Sequence, residues 1–154
     1  WSQDRIIPDL IKSIISKKKF IIRSPKSTRP WQHIFDLLNG YLILSKKIYG
    51  NNKYNGSWNF GPNQNHITVD EVISKLIGIL DINKKVFVKT DKKIKETGLL
   101  SLKINKSKKN LNWKTKLSLN QSLKIIAEWY LCYINDKKNI EKFSRKQIER
   151  FFND

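Results

Sequence analysis

The sequence has few of the residues on which metal sites and disulfides depend. Its 154 residues contain no methionine, one cysteine and two histidines. A single thiol can form neither an internal disulfide nor a metal cluster, and neither histidine has the spacing to a second ligand that a zinc site needs. We therefore expect no metal site. Because methionine is absent and Trp1 stands first, we also expect a piece of a longer protein.

Long apolar runs are missing as well. No run approaches the roughly 20 residues that a membrane span needs, so we expect no membrane segment and take the cytoplasm as the default location. The one thiol, Cys132, lies in the apolar stretch Trp129 to Ile134. Free cysteines are often buried, so this position predicts a buried and inert thiol.

Glycine is scarce, and the pattern of a phosphate-binding loop is absent. The chain has six glycines, none in a glycine-rich turn, and Gly61-Pro62 is typical of a simple turn. No set of nucleophile, base and acid can be recognised either. The residues alone therefore predict no catalytic group and no cofactor site.

Positive charge is abundant. Lysine and arginine number 31 against 13 acidic residues, which gives a formal net charge of +18. Such a balance is compatible with a basic module that binds nucleic acid. However, the lysines occur in short groups, mostly between apolar segments and not along one of them. We interpret them as a solvated surface, and nucleic-acid binding is kept as an alternative.

The apolar content is sufficient for a folded domain. Hydrophobic residues make up 39% of the chain, and 17 residues are aromatic. A chain of this length can bury roughly two-thirds of its unfolded surface. The spacing of apolar residues predicts one mixed α/β domain over 1–154. The predicted helices span 8–18, 33–49, 68–80, 118–134 and 144–152, with a helical turn at 106–111, and the predicted strands span 20–22, 58–60, 86–88 and 99–102.

Local signals fix several helix ends. Thr68 with Glu71 and Ser118 with Gln121 have the spacing of a capping box, in which each side chain binds a free backbone amide. Ser144, with Gln147 three residues on, predicts the start of the last helix. Two further signals concern the backbone: Asn112 is expected in the left-handed conformation, and Gly40 within a helix indicates a close packing contact.

Several polar and aromatic residues on predicted loops are candidates for a binding site: Arg5, Arg23, Arg29, Trp31, Gln32, His33 and Asn59. The guanidinium of Arg29, next to Pro30 and Trp31, suits a bidentate clamp on phosphate oxygens. An alternative remains open at this point. Arg29 could instead pair with a nearby carboxylate such as Asp36, and Trp31 could be a structural anchor.

A resemblance to a known family accounts for these candidates together. The chain resembles CDP-glucose 4,6-dehydratases in segments that occur in the order and spacing of that family. They include Asp4-Arg5-Ile6-Ile7-Pro8-Asp9, Thr28-Arg29-Pro30-Trp31-Gln32-His33, Gly40-Tyr41-Leu42, Trp58-Asn59-Phe60-Gly61-Pro62, Glu96-Thr97-Gly98-Leu99-Leu100, Leu111-Asn112-Trp113 and Glu128-Trp129-Tyr130. The chain departs from the family at Lys95, Lys103, Asn112 and Thr115, where His, Asp, Gly and Pro are usual.

The resemblance implies both a fold and a role. The family belongs to the extended short-chain dehydrogenases, whose amino-terminal Rossmann domain binds NAD and carries the catalytic groups. It implies that 1–154 is the carboxy-terminal, nucleotide-sugar-binding part, without catalytic residues and inactive alone. The whole enzyme would convert CDP-glucose to CDP-4-keto-6-deoxyglucose in deoxysugar (O-antigen) biosynthesis, as a homo-oligomer. A different NAD-dependent nucleotide-sugar epimerase or dehydratase is the alternative.

The same resemblance assigns contacts to individual residues. Arg29 would bind the pyrophosphate and Asn59 the nucleotide portion. Arg5 and Ile6 would contact the ligand from the first helix, and Arg23 would lie near the base or a phosphate. NAD would be bound outside these residues.

Overall fold

The structure is a computed structural model that describes residues 4–63, 66–82, 86–88 and 98–153. Helices dominate this part of the chain, and the two strands form one parallel pair, with Phe20 opposite Val86. Short 3₁₀ turns lie at Asn52–Tyr54 and Lys137–Asn139. In chain order the elements are α1 (Ile6–Ile15), β1 (Phe20–Ile22), α2 (Ile34–Gly50), α3 (Val69–Ile79), β2 (Val86–Val88), α4 (Asn105–Leu111), α5 (Leu119–Asn135) and α6 (Ile140–Asn153).

Both predicted capping boxes are confirmed. At the start of α3, the backbone N–H of Glu71 donates to the Thr68 hydroxyl at 3.2 Å, and the Thr68 N–H donates to the Glu71 carboxylate at 2.9 Å. Ser118 and Gln121 make the same pair of bonds at the start of α5. Each box satisfies two amides that a helix start would otherwise leave free, which is why both helices begin where the sequence predicts.

The predicted backbone signals are also confirmed. Asn112 ends α4 with φ of 51° and ψ of 29°, the left-handed conformation that asparagine tolerates. Gly40 makes the expected close contact, because a Cβ added there would lie 2.5 Å from a carbon of the Phe60 ring. α2 can therefore approach the 58–62 segment only through a glycine.

Other predictions of local structure are wrong. The last helix begins at Ile140, not at Ser144, whose hydroxyl donates back to the Ile140 carbonyl at 2.7 Å and accepts from the Trp129 indole at 2.9 Å. Residues 58–60 and 99–102 are not strands; Leu99 forms only an isolated bridge with Thr28. α1 spans Ile6–Ile15 and not 8–18. Cys132 is half-buried instead of buried.

Buried apolar residues form two groups. The first cluster joins α1, β1, α3 and α5 and consists of Leu10, Ile11, Phe20, Ile22, Val69, Val72, Ile73, Leu76, Leu80, Leu123, Ala127 and Tyr130. The second cluster consists of Phe60, Ile104, Leu111 and Trp113, with side chains of α2 packed against it. Each large buried side chain contributes about 1.5–3 kcal/mol, so both groups stabilise the fold.

The sequence of α2 is rich in apolar residues, and many of these side chains are exposed to solvent. Five of its large hydrophobic side chains are exposed: Ile34, Leu38, Tyr41, Leu42 and Tyr49. None of the helices among the described residues has the length and apolar character that crossing a bilayer requires.

Candidate functional site

A cavity of about 460 Å³ lies where the amino end of α1, the end of β1 and the loop before α2 meet. Three of the five arginines of the chain line it, together with two aspartates. The lining therefore combines charged side chains with apolar residues of the first cluster. Its lining comprises Asp4, Arg5, Ile6, Ile7, Pro8, Asp9, Phe20, Ile21, Ile22, Arg23, Ser24, Arg29, Trp31 and Val69.

The amino end of α1 contributes a positive electrostatic field. Arg5 is the residue before the helix, with extended backbone, and its carbonyl accepts the Asp9 N–H at 2.8 Å. The backbone amides of Ile6 and Ile7 fall in the first turn, where a helix offers no acceptor within itself. Because the helix dipole is positive at this end, the Arg5 side chain and the backbone both favour an anion in the cavity.

β1 places a second arginine in the cavity. The chain leaves the strand at Ile22, and Arg23 follows directly. Its Nη2 donates to Oδ1 of Asp4 at 2.8 Å, and both side chains are more than half exposed. Asp4 precedes α1 and has φ of 57°. This ion pair joins the end of β1 to the start of α1 across the cavity.

The third arginine, Arg29, stands on a loop that is fixed to α3. The first two amides of α3, those of Val69 and Asp70, donate to the carbonyls of Ser27 and Pro25, each at 3.0 Å. These bonds satisfy helix amides that have no partner within the helix, and they fasten the loop at the same time. The Arg29 Nη1 donates to the Thr28 carbonyl at 2.8 Å, which orients the guanidinium.

Trp31 fixes the same loop from its other end. Its indole Nε1 donates to the Ile67 carbonyl at 3.0 Å, and its ring packs against the first cluster while it lines the cavity. The Trp31 N–H donates to the Arg29 carbonyl at 2.9 Å. The sequence left open whether Trp31 is a structural anchor or part of a binding site. In the structure it both anchors the loop and forms a wall of the cavity.

The structure excludes the alternative in which Arg29 pairs with Asp36. The Asp36 side chain is fully buried, and its two oxygens accept the backbone N–H groups of Lys116 at 2.7 Å and Leu117 at 3.3 Å. Burial raises the pKa of this carboxyl group, while those two hydrogen bonds and the charge of Lys116 oppose the rise. The Asp36 carbonyl also accepts the Trp113 indole N–H at 3.2 Å.

Asn59 does not line this cavity. It is exposed, and its side-chain Nδ2 donates to the Lys103 carbonyl at 3.3 Å. Its own carbonyl accepts the Ser107 hydroxyl. The structure thus brings Arg5, Ile6, Arg23 and Arg29 together and leaves Asn59 beside the second cluster.

His33 is not available as a base near neutrality, contrary to what its residue type suggests. It precedes α2, and its Nδ1 accepts the Phe35 N–H at 3.2 Å. Burial lowers its pKa from 6.5 to about 4. His33 also borders a second cavity of about 280 Å³, lined by α2, α5 and α6 and mostly apolar. We assign His33 a structural role at the helix start.

Two buried polar atoms near the arginine loop have no hydrogen-bond partner among the described residues: Oγ1 of Thr28 and Nε2 of Gln32.

The sequence did not predict Asp4, Asp9 and Ser24 as lining residues of the cavity. Asp4 and Asp9 stood in a recognised segment, but only the fold reveals which arginine lies opposite Asp4. A separation of 19 residues carries no local signal for that pair.

Comparison with known proteins agrees with the predicted resemblance. No family model matches the chain. The CDP-glucose 4,6-dehydratase of Salmonella typhimurium is 30% identical over 136 residues, which cover 87% of this chain and 38% of that protein. Among solved structures, the UDP-glucose 4-epimerase of Thermotoga maritima with UDP-glucose superimposes with a TM-score of 0.73 at 18% identity, covering 88% of this chain and 42% of the epimerase.

A dehydratase shows the same likeness of fold. The dTDP-glucose 4,6-dehydratase of Bacillus anthracis in complex with NAD gives a TM-score of 0.70 at 20% identity, over 89% of this chain and 42% of that enzyme. The chain therefore spans about 40% of the length of the relatives it matches. Its fold is one found in extended short-chain dehydrogenases, as predicted. Its sequence is similar to that of a CDP-glucose 4,6-dehydratase.

Proposed function

We propose that this chain is the nucleotide-sugar-binding part of a CDP-glucose 4,6-dehydratase. The observation that carries the proposal is the convergence of Arg5, Arg23 and Arg29 with the amino end of α1 around one cavity. The sequence similarity to a CDP-glucose 4,6-dehydratase supports the choice of ligand. The cytoplasmic location and the homo-oligomeric state stay predictions.

The chemistry of the cavity suits a pyrophosphate. A pyrophosphate carries negative charge on several oxygens of its two linked phosphates. Guanidinium groups and first-turn amides are strong donors to such oxygens. Arg29 is the central donor in this proposal, because its loop is already fixed by α3 and Trp31 and loses little conformational entropy on binding. Asn59 would contact the nucleotide only if the ligand extends beyond the cavity, so its role stays a prediction.

The residues that the structure describes offer no site that fits NAD. The described parallel strand β1 leads into Arg23-Ser24-Pro25, and none of the six glycines forms the turn that brings backbone amides against a dinucleotide. The proposed share of this chain in the reaction is therefore to hold the CDP-sugar in place. We expect the chain alone to form no 4-keto sugar from CDP-glucose and NAD; formation of that product would contradict this division.

A titration of nucleotide sugars tests the proposal. In calorimetric titrations of the 154-residue chain, CDP-glucose should bind more tightly than UDP-glucose and dTDP-glucose. Preference for UDP-glucose would instead favour the alternative of a nucleotide-sugar epimerase, which the epimerase-like fold allows. Equal binding of all three, or none, would overturn the proposal. An oligonucleotide in the same assay checks whether the net charge of +18 alone attracts phosphates.

The variant Arg29→Lys tests the cavity itself. Lysine keeps the charge but loses the planar fork, so CDP-glucose binding should weaken by about 1–3 kcal/mol. The melting temperature is measured beside the affinity, and a lower melting temperature without weaker binding would indicate a structural role for Arg29 instead. Arg145→Lys is the matched control, since Arg145 is exposed and pairs with Glu141 within α6. An unchanged affinity in a folded Arg29→Lys variant would remove Arg29 from the site.

A further inference from the structure

One arginine of the cavity is held by a carboxylate. The guanidinium of Arg23 donates from Nη2 to Oδ1 of Asp4 at 2.8 Å, so the two opposite charges compensate each other. Arg23 therefore lines the cavity with its charge compensated, and Asp4 adds a negative charge beside the place where an anion would sit.

We propose that Asp4 is a competitor for Arg23, which an anionic ligand must displace from the guanidinium before Arg23 can bind it. Asp4 then limits the affinity of the cavity and discriminates between ligands by their charge. A ligand with two neighbouring phosphates replaces the lost ion pair fully, while a ligand with a single weak anionic group does not. This inference rests on the proposed function, because it takes the cavity to be an anion site.

The exposure of the pair makes such an exchange feasible. The side chains of Arg23 and Asp4 are 53% and 74% exposed, so water and salt screen their attraction. An exposed ion pair contributes little to folding and is given up at small cost. A dianionic ligand would also accept hydrogen bonds from the α1 amides and from Arg29. Its binding can therefore more than replace the bond between Arg23 and the Asp4 carboxylate.

The chain offers a matched pair of substitutions. Asp4→Asn removes the competing charge and keeps a residue type that tolerates the positive φ of 57° at this position. Asp9→Asn removes the same formal charge from the same cavity lining. Asp9, however, faces Lys12 at 3.4 Å and not an arginine of the cavity. The difference between the two variants isolates the Arg23 contact from the general effect of charge.

Inorganic pyrophosphate is the probe, titrated calorimetrically at low ionic strength into the full chain. Asp4→Asn should bind it about twofold to fivefold more tightly than the unmodified chain, the range expected for releasing an exposed ion pair. Asp9→Asn should gain less. In an Arg23→Gln background the gain from Asp4→Asn should fall to that of Asp9→Asn, because only the general effect of charge is left. The Arg23 Nε–Hε resonance should also shift on addition of pyrophosphate.

Equal gains from the two aspartate variants in the unmodified background, or a gain from Asp4→Asn that keeps its full size in Arg23→Gln, would overturn the inference. So would the absence of pyrophosphate binding to both the unmodified chain and Asp4→Asn. The nucleotide-sugar titration judges the proposed function separately. A chain that prefers CDP-glucose but shows no difference between the aspartate variants keeps the function and loses the competitor.

Discussion

The two apolar clusters of this chain are built by different rules. The first cluster draws nearly all of its residues from helices and one strand, where apolar positions recur at regular spacing. The second cluster joins α2 to irregular segments around Phe60, Ile104 and Trp113. Its parts are fastened by buried polar contacts, those of Asp36 with the 113–117 segment and of Ser107 with Asn59.

The two clusters therefore stabilise the fold by two different kinds of packing. We expect the first cluster to tolerate apolar substitutions that keep its total volume, as hydrophobic cores generally do. The second cluster depends on individual contacts, because a few backbone hydrogen bonds and one glycine decide whether its irregular segments meet α2. The arginine loop is anchored on the first cluster through Trp31 and α3. We therefore expect substitutions in the second cluster to reduce stability without reorganising the cavity.

The largest effect should come from Asp36→Ala. This change leaves the N–H groups of Lys116 and Leu117 without their acceptor and should lower the free energy of unfolding by about 2–4 kcal/mol. Asp136→Ala is the control, since Asp136 is exposed and binds only local groups. Chemical denaturation of both variants measures the difference. A loss no larger than that of the control would mean that the second cluster does not depend on this carboxylate.

The sign of the pH effect of Asp36 follows from its raised pKa. The folded state binds the proton more tightly than the unfolded chain, so the contribution of this group to stability is complete below the usual aspartate pKa. It is lost as the pH rises through the raised value. The substitution Asp36→Ala should therefore remove a component of stability that falls with rising pH in the acidic range.

His33 gives the next largest effect, with the opposite sign. It borders the cavity that α2, α5 and α6 line, and burial lowers its pKa to about 4. The unfolded chain therefore takes up a proton as the pH falls below 6.5, while the folded chain does not until about 4. Stability should fall by about 2 kcal/mol between pH 7 and 5, with a slope that approaches about 1.4 kcal/mol for each pH unit below pH 6.

His33→Asn should abolish this slope, because asparagine caps a helix as well but does not titrate. Denaturation at pH 5, 6 and 7 measures the slope, and His66→Asn, at the exposed second histidine, is the control that should keep it. If the slope survives in His33→Asn, the burial of His33 is not its cause.

The sequence predicts those parts of the fold that depend on local signals. Thr68 and Ser118 were found because a capping box lies within four residues, and Asn112 because a left-handed residue is a local need. The start at Ser144 failed for the same reason: its spacing to Gln147 imitates a capping box. The 3₁₀ turn at Lys137–Asn139, which leads directly into α6, has no such local signal.

The candidate site was predictable in its residue types but not in its pairings. Arg5, Arg23 and Arg29 stood out as arginines near predicted helix and strand ends, and the fold does bring them to one cavity. The partners of Asp36 lie 80 and 81 residues away and those of Arg23 lie 19 away, so no local pattern reveals them. The prediction of a strand at 58–60 is wrong for the same reason. The side chain and the carbonyl of Asn59 form hydrogen bonds with residues 103 and 107, which no local pattern reveals.

The smallest effect, and the sharpest contrast of sign, should come from two glycine substitutions. Both Gly40 and Gly78 lie inside helices, and alanine favours a helix over glycine by about 1 kcal/mol. At Gly78 a Cβ meets nothing within 4 Å, so Gly78→Ala in α3 should raise the free energy of unfolding by up to that amount.

At Gly40 the same Cβ would lie 2.5 Å from one Phe60 ring carbon and 2.7 Å from another. That ring is held edge-on by Trp113 and Tyr41, with centroids 5.1 and 5.6 Å away, so it has little room to move aside. Overpacking costs about 1–3 kcal/mol, and a Cβ so close to the ring places the cost in the upper half of that range. Less the gain of about 1 kcal/mol in helix propensity, Gly40→Ala should destabilise the chain by about 1–2 kcal/mol. Parallel denaturation curves measure both variants. If Gly40→Ala were as stable as Gly78→Ala, the ring would be free to yield, and the second cluster would be packed as loosely as a region without specific contacts.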